Sequence, residues 1–265
     1  VSVTSQSPDG ASPVFDAAAA PVTPSTVVWS SDFASETAHD FKTTATGTVG
    51  GVDATLVNGA AATQFEITAS GLLVDTNTAT GFYNTTLTAA YLAIDLADVT
   101  TFDIDRMYVA RVILASGSPM PQVGNEGVFV ALWEDNSPTL GEMVYAGMYY
   151  SNPNIVLRAL KGGTPYVDRN ASTIGLSAPR SIAACYIKGA GLALYSDDDE
   201  SGIAFGGEGG FAFLQDGAGS NGMIAVHSNP MLDLSAATAQ ILIGVIGAVG
   251  GSQFVIQRIE LHEIG

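Results

Sequence analysis

Aromatic rings, carboxylates and one thiol are the groups in this chain whose types and spacing suggest chemistry. Tyr145, Tyr149 and Tyr166 cluster in the middle of the sequence. Tyr145 and Tyr149 are four residues apart, so on a strand they share a face. An exposed ring face beside Asn152, Asn154 or Asp168 could stack on a sugar; packing in a core or interface is the competing reading. The densest acidic run is Asp197-Asp198-Asp199-Glu200-Ser201-Gly202. Calcium takes several oxygen ligands from close loops, which makes Asp197, Asp199 and Glu200 candidate ligands. The run lacks the alternation of an EF-hand loop, so a solvated hairpin tip competes with that reading. Asp103 and Asp105 would share a face if extended, and are a further candidate pair.

Catalytic patterns are missing where they would be expected. Glycoside hydrolysis needs two carboxylates about 5–9 Å apart across a cleft. Glu134 and Asp135 are adjacent, and adjacent strand residues face opposite ways. His39, His227 and His262 lie far apart and show no zinc-ligand spacing, so each is expected at the surface or on an edge. Cys185 sits in the apolar run Ser181–Ile187 and reads as a small buried hydrophobe. A single cysteine cannot close an internal disulfide. Gly206 to Gly210 is glycine-rich but lacks the lysine of a phosphate loop, and no Gly-x-Ser-x-Gly elbow occurs. Asn84-Thr85-Thr86 and Asn170-Ala171-Ser172 match glycosylation acceptors, a pattern that also arises by chance. The chain is expected to be non-enzymatic, with no cofactor other than possible calcium.

Charge narrows the partners. The 265 residues carry 9 Lys+Arg against 26 Asp+Glu, a net charge of −17. Nucleic-acid binding requires clustered basic residues, and no five-residue window holds more than two. A polybasic membrane contact fails for the same reason, and acidic polymers are poor substrates. Only 13% of residues are charged, about half the usual ~25%. Thr, Ser, Asn, Gly and Ala supply the solvent face instead. No signal-peptide pattern opens the sequence. The most apolar stretch, Ile241 to Val249, is about half of the ~20 residues a spanning helix needs, so no membrane insertion is expected.

The elements that would position these residues are strands. Residues 1–26 read as an extended arm, rich in Pro, Ala and Ser. Pro8, Pro13, Pro21 and Pro24 oppose helix and central strand alike. With Phe15 they are candidate assembly contacts, lying either on a neighbouring subunit or on the chain's own body. From 27 to 265 the chain reads as a single domain. Arg106–Leu114 places Tyr108, Ala110, Val112 and Leu114 on one face. Gly127–Trp133 is nearly all apolar, which fits a strand covered on both faces. Met143–Tyr150 and Ile155–Leu160 flank a Ser-Asn-Pro-Asn turn, and Ser181–Lys188 and Gly191–Tyr195 repeat that arrangement. Gln240–Ile246 is a buried strand. In Phe254–Ile264, simple alternation groups Val255, Ile259 and Leu261 against Arg258, Glu260 and His262. Leu92–Asp98 and Leu232–Ala239 are candidates for short helices. About twelve strands with Gly, Pro and Asn turns predict an all-β fold, a jelly-roll-type antiparallel β-sandwich with an N-terminal arm.

The Trp29-Ser30-x-Asp32-Phe33 opening, the Phe129–Trp133 strand and the closing Phe254–Leu261 strand resemble the concanavalin A-like/laminin-G-like jelly-roll domains. The resemblance covers residues 27–265 as a style. It implies two curved antiparallel sheets and no particular function, because such domains occur as lectins, as glycosidases and on bacteriophage virions. Two readings stand. One is a virion structural protein, a head decoration, cement or fibre-associated subunit. It would contact copies of itself, as a trimer by analogy, and other virion proteins such as a major capsid protein. The other is a lectin-like carbohydrate-binding module or surface adhesin, with surface glycans as partners and an extracellular or cell-surface location.

Overall fold

In the computed structural model, the described residues are 23–59, 64–75, 89–103, 105–118, 127–134, 143–149, 154–161, 164–171, 181–188, 190–196, 203–205, 211–213, 221–228, 234, 238–246 and 253–265. Strands dominate them. In chain order they are β1 (Thr23–Pro24), β2 (Thr26–Asp32), β3 (His39–Asp40), β4 (Thr46–Val49), β5 (Val52–Val57), β6 (Phe65–Thr68) and β7 (Gly71–Asp75). Then come β8 (Tyr91–Asp95), β9 (Met107–Leu114), β10 (Gly127–Glu134), β11 (Met143–Tyr149), β12 (Asn154–Lys161) and β13 (Thr164–Ala171). The last are β14 (Ser181–Ile187), β15 (Ala190–Ser196), β16 (Ile203–Phe205), β17 (Phe211–Phe213), β18 (Asn221–Ser228), β19 (Ala239–Ile246) and β20 (Gln253–Ile264). Among the described residues the helices are a 3-10 turn, Phe33–Ser35, and one α-helical turn, α1 (Leu96–Val99). Neither is long and apolar enough to cross a membrane.

The strands form two large antiparallel sheets packed face to face. One has eight strands in the order β13-β12-β11-β10-β19-β8-β5-β4; the other runs β18-β15-β14-β9-β20-β7-β6-β3, with β2 paired to β20. Alternation puts Val128, Val130, Leu132, Leu92, Ile94, Ile241 and Ile243 of the first sheet into one buried cluster. Tyr108, Ala110, Val112, Ile182, Ala184, Ile259 and Leu261 of the second sheet join it. This is the expected all-β sandwich. Burying such side chains removes apolar surface at about 25 cal/mol per Å2, which is what closes the two sheets on each other.

Three expectations change in detail. Alternation along β20 does not run straight: the register shifts between Ile256 and Arg258. That bulge puts Phe254, Ile256, Ile259 and Leu261 in the core and leaves Val255 half-buried. Leu92–Asp98 is not one helix; its first residues are strand β8, and only Leu96–Val99 is helical. The strands also outnumber the expected dozen, because short strands such as the β4–β5 pair and β16–β17 carry little hydropathy signal. Of the second helix candidate, Leu234 and Thr238 are described outside any strand, and Ala239 begins β19.

The opening residues of the domain are explained by one corner. Trp29 lies in the core cluster and donates its indole N–H to the Gly50 carbonyl at 3.2 Å. Gly50 has φ +58°, and a Cβ there would sit 2.7 Å from the indole nitrogen. Asp32 caps the 3-10 turn by accepting from the Ala34 N–H at 3.1 Å, and Phe33 is fully buried behind it.

A third, small sheet orders β1-β16-β17. Thr23 and Pro24 pair with Phe205 and Ala204 of the same chain. The last arm proline thus belongs to the body, with its ring exposed, while Pro8, Pro13, Phe15 and Pro21 lie outside the described residues. The junction after β1 is tied down by Ser25, whose Oγ is 2.8 Å from His262 Nδ1. Removing residues 1–26 is therefore expected to lower stability by about 1–2 kcal/mol relative to removing residues 1–22, through loss of the β1 pairing and this hydrogen bond. Urea unfolding of the two truncated chains checks this, and equal midpoints contradict it.

Candidate functional site

The faces of the two sheets that look away from the core carry the polar chemistry. On the eight-stranded sheet, β5 alternates Ala54 and Leu56 inward with Asp53 and Thr55 outward. β8 sends Leu92 and Ile94 inward, leaving Tyr91, Ala93 and Asp95 outward. β10 sends Val128, Val130 and Leu132 inward, and Phe129, Ala131 and Trp133 outward. Register places Trp133 opposite Gln240, and Gln240 opposite Asp95. Thr55 lies opposite Ala93, and Val57 opposite Tyr91.

These residues enclose a trough of about 430 Å3, with Asp98 of α1 added to its lining. Tyr91 and Trp133 meet edge to face, ring centroids 6.0 Å apart at 82°. Both rings are buried, so the aromatic pair is a wall of the trough rather than an open stacking platform. Asp53, Thr55, Asp95 and Asp98 are exposed. Asp95 stands at the N-cap of α1 but makes no side-chain cap bond. Its carboxylate instead accepts from the Gln240 amide at 2.7 Å. The trough lining holds three carboxylates and no basic residue.

One group in the lining is unsatisfied. Trp133 is 6% exposed, and its indole nitrogen is closed off from the surface with no hydrogen-bond partner among the described residues. A buried donor left unmet costs about 1–3 kcal/mol, so native structures rarely leave one without a reason. The contrast with Trp29 is direct, because that indole is satisfied by Gly50. A second hollow, about 470 Å3 between Glu36, His39, Gly47 and Thr48, offers no such group. There Glu36 already accepts from Ser31 and from the Gly50 N–H, and His39 is bonded to the Thr44 carbonyl.

The nine-stranded sheet buries a polar cluster on its far side. His262 is not a surface residue, as the sequence suggested, but 4% exposed at the centre of the sheet. His39 and His227 do lie on the two edge strands, β3 and β18. His262 and Glu260, two apart on β20, are joined by a 2.9 Å Nε2–Oε2 bond. A carboxylate only accepts, so Nε2 carries the proton, and in the neutral ring Nδ1 accepts the Ser25 hydroxyl. Hydroxyl, imidazole and carboxylate thus follow in the order that nucleophilic catalysis uses. The carboxylate, however, is also held by Arg258 at 2.9 Å and Arg111 at 3.4 Å, and Arg111 in turn reaches Ser181 at 3.2 Å. The array is read as a relay that fixes the β1–β2 junction to the sheet.

The other sequence candidates separate. Tyr145 and Tyr149 lie in β11 at register positions opposite Ala131 and Gly127, and Tyr166 lies in β13 at the sheet edge. The structure describes these three by backbone only. Asp197, Asp199 and Glu200 lie outside the described residues. Asp103 and Asp105 are not paired ligands on a strand; Asp103 accepts from the Asp105 N–H and pairs with Arg106, and Asp105 pairs with Lys188. Glu134 is buried and accepts from Thr238 at 3.1 Å. Among the described residues no three His, Cys, Asp or Glu side chains form a metal-ligand set. Cys185 is fully buried as expected, and burial pushes its thiol well above the ordinary range.

No protein-family model matches the chain. No curated protein matches it either. The concanavalin A-like affiliation therefore stands as a likeness of pattern. Among solved structures, the chain is similar to a functionally unknown protein from Saccharomyces cerevisiae, 14% identical, covering 78% of this chain and 92% of that one, with a TM-score of 0.42. It is also similar to the CBM2 module of the evolved Dit of Lactobacillus casei BL23 phage J-1, 8% identical over 91% of this chain and 96% of that one, with a TM-score of 0.39. Function is argued below from the residues of this chain.

The polar relay makes a pH prediction. Burial raises the Glu260 pKa, but the His262 hydrogen bond and the charges of Arg111, His262 and Arg258 outweigh it and hold the carboxyl below its ordinary value of 4.5. Its stabilising contribution is complete above that value and disappears as pH falls through the lower folded-state pKa. Glu260→Gln is expected to cost about 3 kcal/mol at pH 7, because it leaves the buried Arg111 guanidinium without its counter-charge. It should cost much less at pH 2. Chemical denaturation at the two pH values checks this; a loss independent of pH contradicts it.

Proposed function

We propose that this chain is a non-enzymatic binding module that holds carbohydrate in the trough on the outer face of its eight-stranded sheet. The observation that carries the reading is a trough on a rigid sheet face, walled by the Tyr91 and Trp133 rings and carrying exposed acceptors at Asp53, Asp95 and Asp98. Sugars present many O–H groups that donate hydrogen bonds, and a row of exposed acceptors beside an apolar wall suits them. Rigid strands fix most of these side chains, so little ordering entropy is lost on binding.

The setting proposed for this module is a virion surface, where it would serve as a head decoration, cement or fibre-associated subunit. The low charged fraction of 13% and the Pro- and Ala-rich composition of residues 1–26 support a role in assembly. Copies of the chain and other virion proteins are the partners in that setting. The arm that would reach them ends before Thr23, where β1 begins.

On a glycan microarray the chain is expected to bind at least one carbohydrate. Asp95→Ala is expected to weaken that binding at least tenfold, without unfolding the body, because Asp95 is exposed. An array without any bound glycan contradicts the reading. So does undiminished binding by the Asp95→Ala chain.

A further inference from the structure

The end of β5 carries a chemistry of its own, separate from the trough. Asn58 and Gly59 follow Val57, the last residue of that strand. We infer that this pair is a modification site, at which Asn58 converts to aspartate and isoaspartate through a succinimide ring, with water as the co-reactant.

The backbone nitrogen of Gly59 attacks Cγ of Asn58 and closes a five-membered ring. The Cγ–Nδ2 bond breaks, and the amide NH2 leaves as ammonia with the proton that the Gly59 nitrogen gives up. Water then opens the ring at either carbonyl. One opening gives aspartate. The other routes the main chain through Cβ and Cγ, which is isoaspartate. Nothing is oxidised or reduced.

Three features select this pair. First, Asn58 is exposed, so water reaches it, and it lies just past the β5–β8 ladder, which ends at Val57 and Tyr91. Turning Cγ toward Gly59 therefore opens no strand pairing. Second, the fold holds both members of the pair in place. Asn58 has φ +55°, alone among the described non-glycine residues in being positive, and asparagine tolerates that region better than most side chains. A Cβ on Gly59 would lie 2.6 Å from Cδ2 and 2.9 Å from Cγ of Leu56, a core residue 8% exposed with little room to yield. Glycine also leaves the attacking nitrogen unhindered. Third, the chain's other Asn-Gly pair, Asn221 and Gly222, lies within β18, in register with Ser196 and Tyr195 of β15. That pair must leave its strand before it can cyclise.

Conversion has a structural consequence. Asn58 Nδ2 donates to the carbonyl of Ala89 at 3.2 Å and so ties the end of β5 to the chain ahead of β8. A carboxylate only accepts, so the product loses this bond and sets a negative charge against the carbonyl. Isoaspartate also lengthens the main chain by one carbon at a turn already committed to positive φ. The corner between β5 and β8 loosens as the chain ages.

Peptide mass spectrometry on the full chain tests this after timed incubation in warm, mildly alkaline buffer. The peptide holding Asn58 is expected to gain one mass unit, with isoaspartate detected by an isoaspartyl methyltransferase. Conversion at Asn58 is expected about tenfold faster than at Asn221 in the folded chain, because the strand pairing of Asn221 must open first. In the guanidinium-unfolded chain the two sites should convert at similar rates. Gly59→Ala is expected to slow conversion. Because that change also presses on Leu56, Asn58→Gly is the second variant; it suits φ +55°, lacks the amide and should yield no isoaspartate in this peptide. The aged chain should unfold at lower urea than the fresh one, and the Asn58→Gly chain should keep its midpoint through the same incubation. Asn58 intact in the folded chain, while the unfolded chain converts it, overturns the site. Asn221 converting as fast as Asn58 in the folded chain overturns the structural selection. Aspartate without isoaspartate overturns the ring. An unchanged midpoint after conversion overturns the loosening of the corner.

Discussion

A single strand buried on both faces sets the terms for the rest of the molecule. All eight residues of β10 are buried, from Gly127 to Glu134. One alternate set, Val128, Val130 and Leu132, fills the space between the two sheets. The other set, Phe129, Ala131 and Trp133, looks outward. The neighbouring strand must accommodate both. A Cβ on Gly244 would come within 2.3 Å of the Phe129 ring, so that position of β19 is held to glycine. A one-residue slip of register would exchange the two sets and destroy both fits. The trough sits where this strip ends, at Trp133, and its other walls come from the strands that β19 and β8 bring alongside.

The two outer faces solve burial differently. On the nine-stranded sheet, polar groups are linked to one another: Glu260 takes hydrogen bonds or charge from His262, Arg258 and Arg111, and Ser25 and Ser181 extend the chain of contacts. Such networks hold position, here fixing where β2 enters the sheet. On the eight-stranded sheet the outer face instead leaves Asp53, Asp95 and Asp98 exposed beside the buried rings of Tyr91 and Trp133.

Much of the fold was legible in the sequence, and the site was not. Apolar runs bounded by turn signals located β9, β10, β14 and β19. The same logic correctly buried Cys185. It failed on the closing strand, where an unsignalled bulge at Ile256/Arg258 reverses the alternation. It also misjudged His262, because a histidine between charged neighbours looks exposed until the strand is known to be central. The trough was hidden for a different reason. Its residues lie on β5, β8, α1, β10 and β19, and only the pairing order β10-β19-β8-β5 brings them together. Spacing along the chain carries no trace of that order.

The central claim is that the trough walled by Tyr91 and Trp133 holds carbohydrate. The chain has two tryptophans, which gives two indole signals in an amide-type nitrogen–proton correlation spectrum. Trp29 already donates to Gly50 and serves as an internal control. Titration with an oligosaccharide that the chain binds is expected to move one indole signal and to leave the other unchanged. Loss of the moving signal in Trp133→Phe assigns it. Saturating binding that leaves the Trp133 indole signal in place would contradict the account.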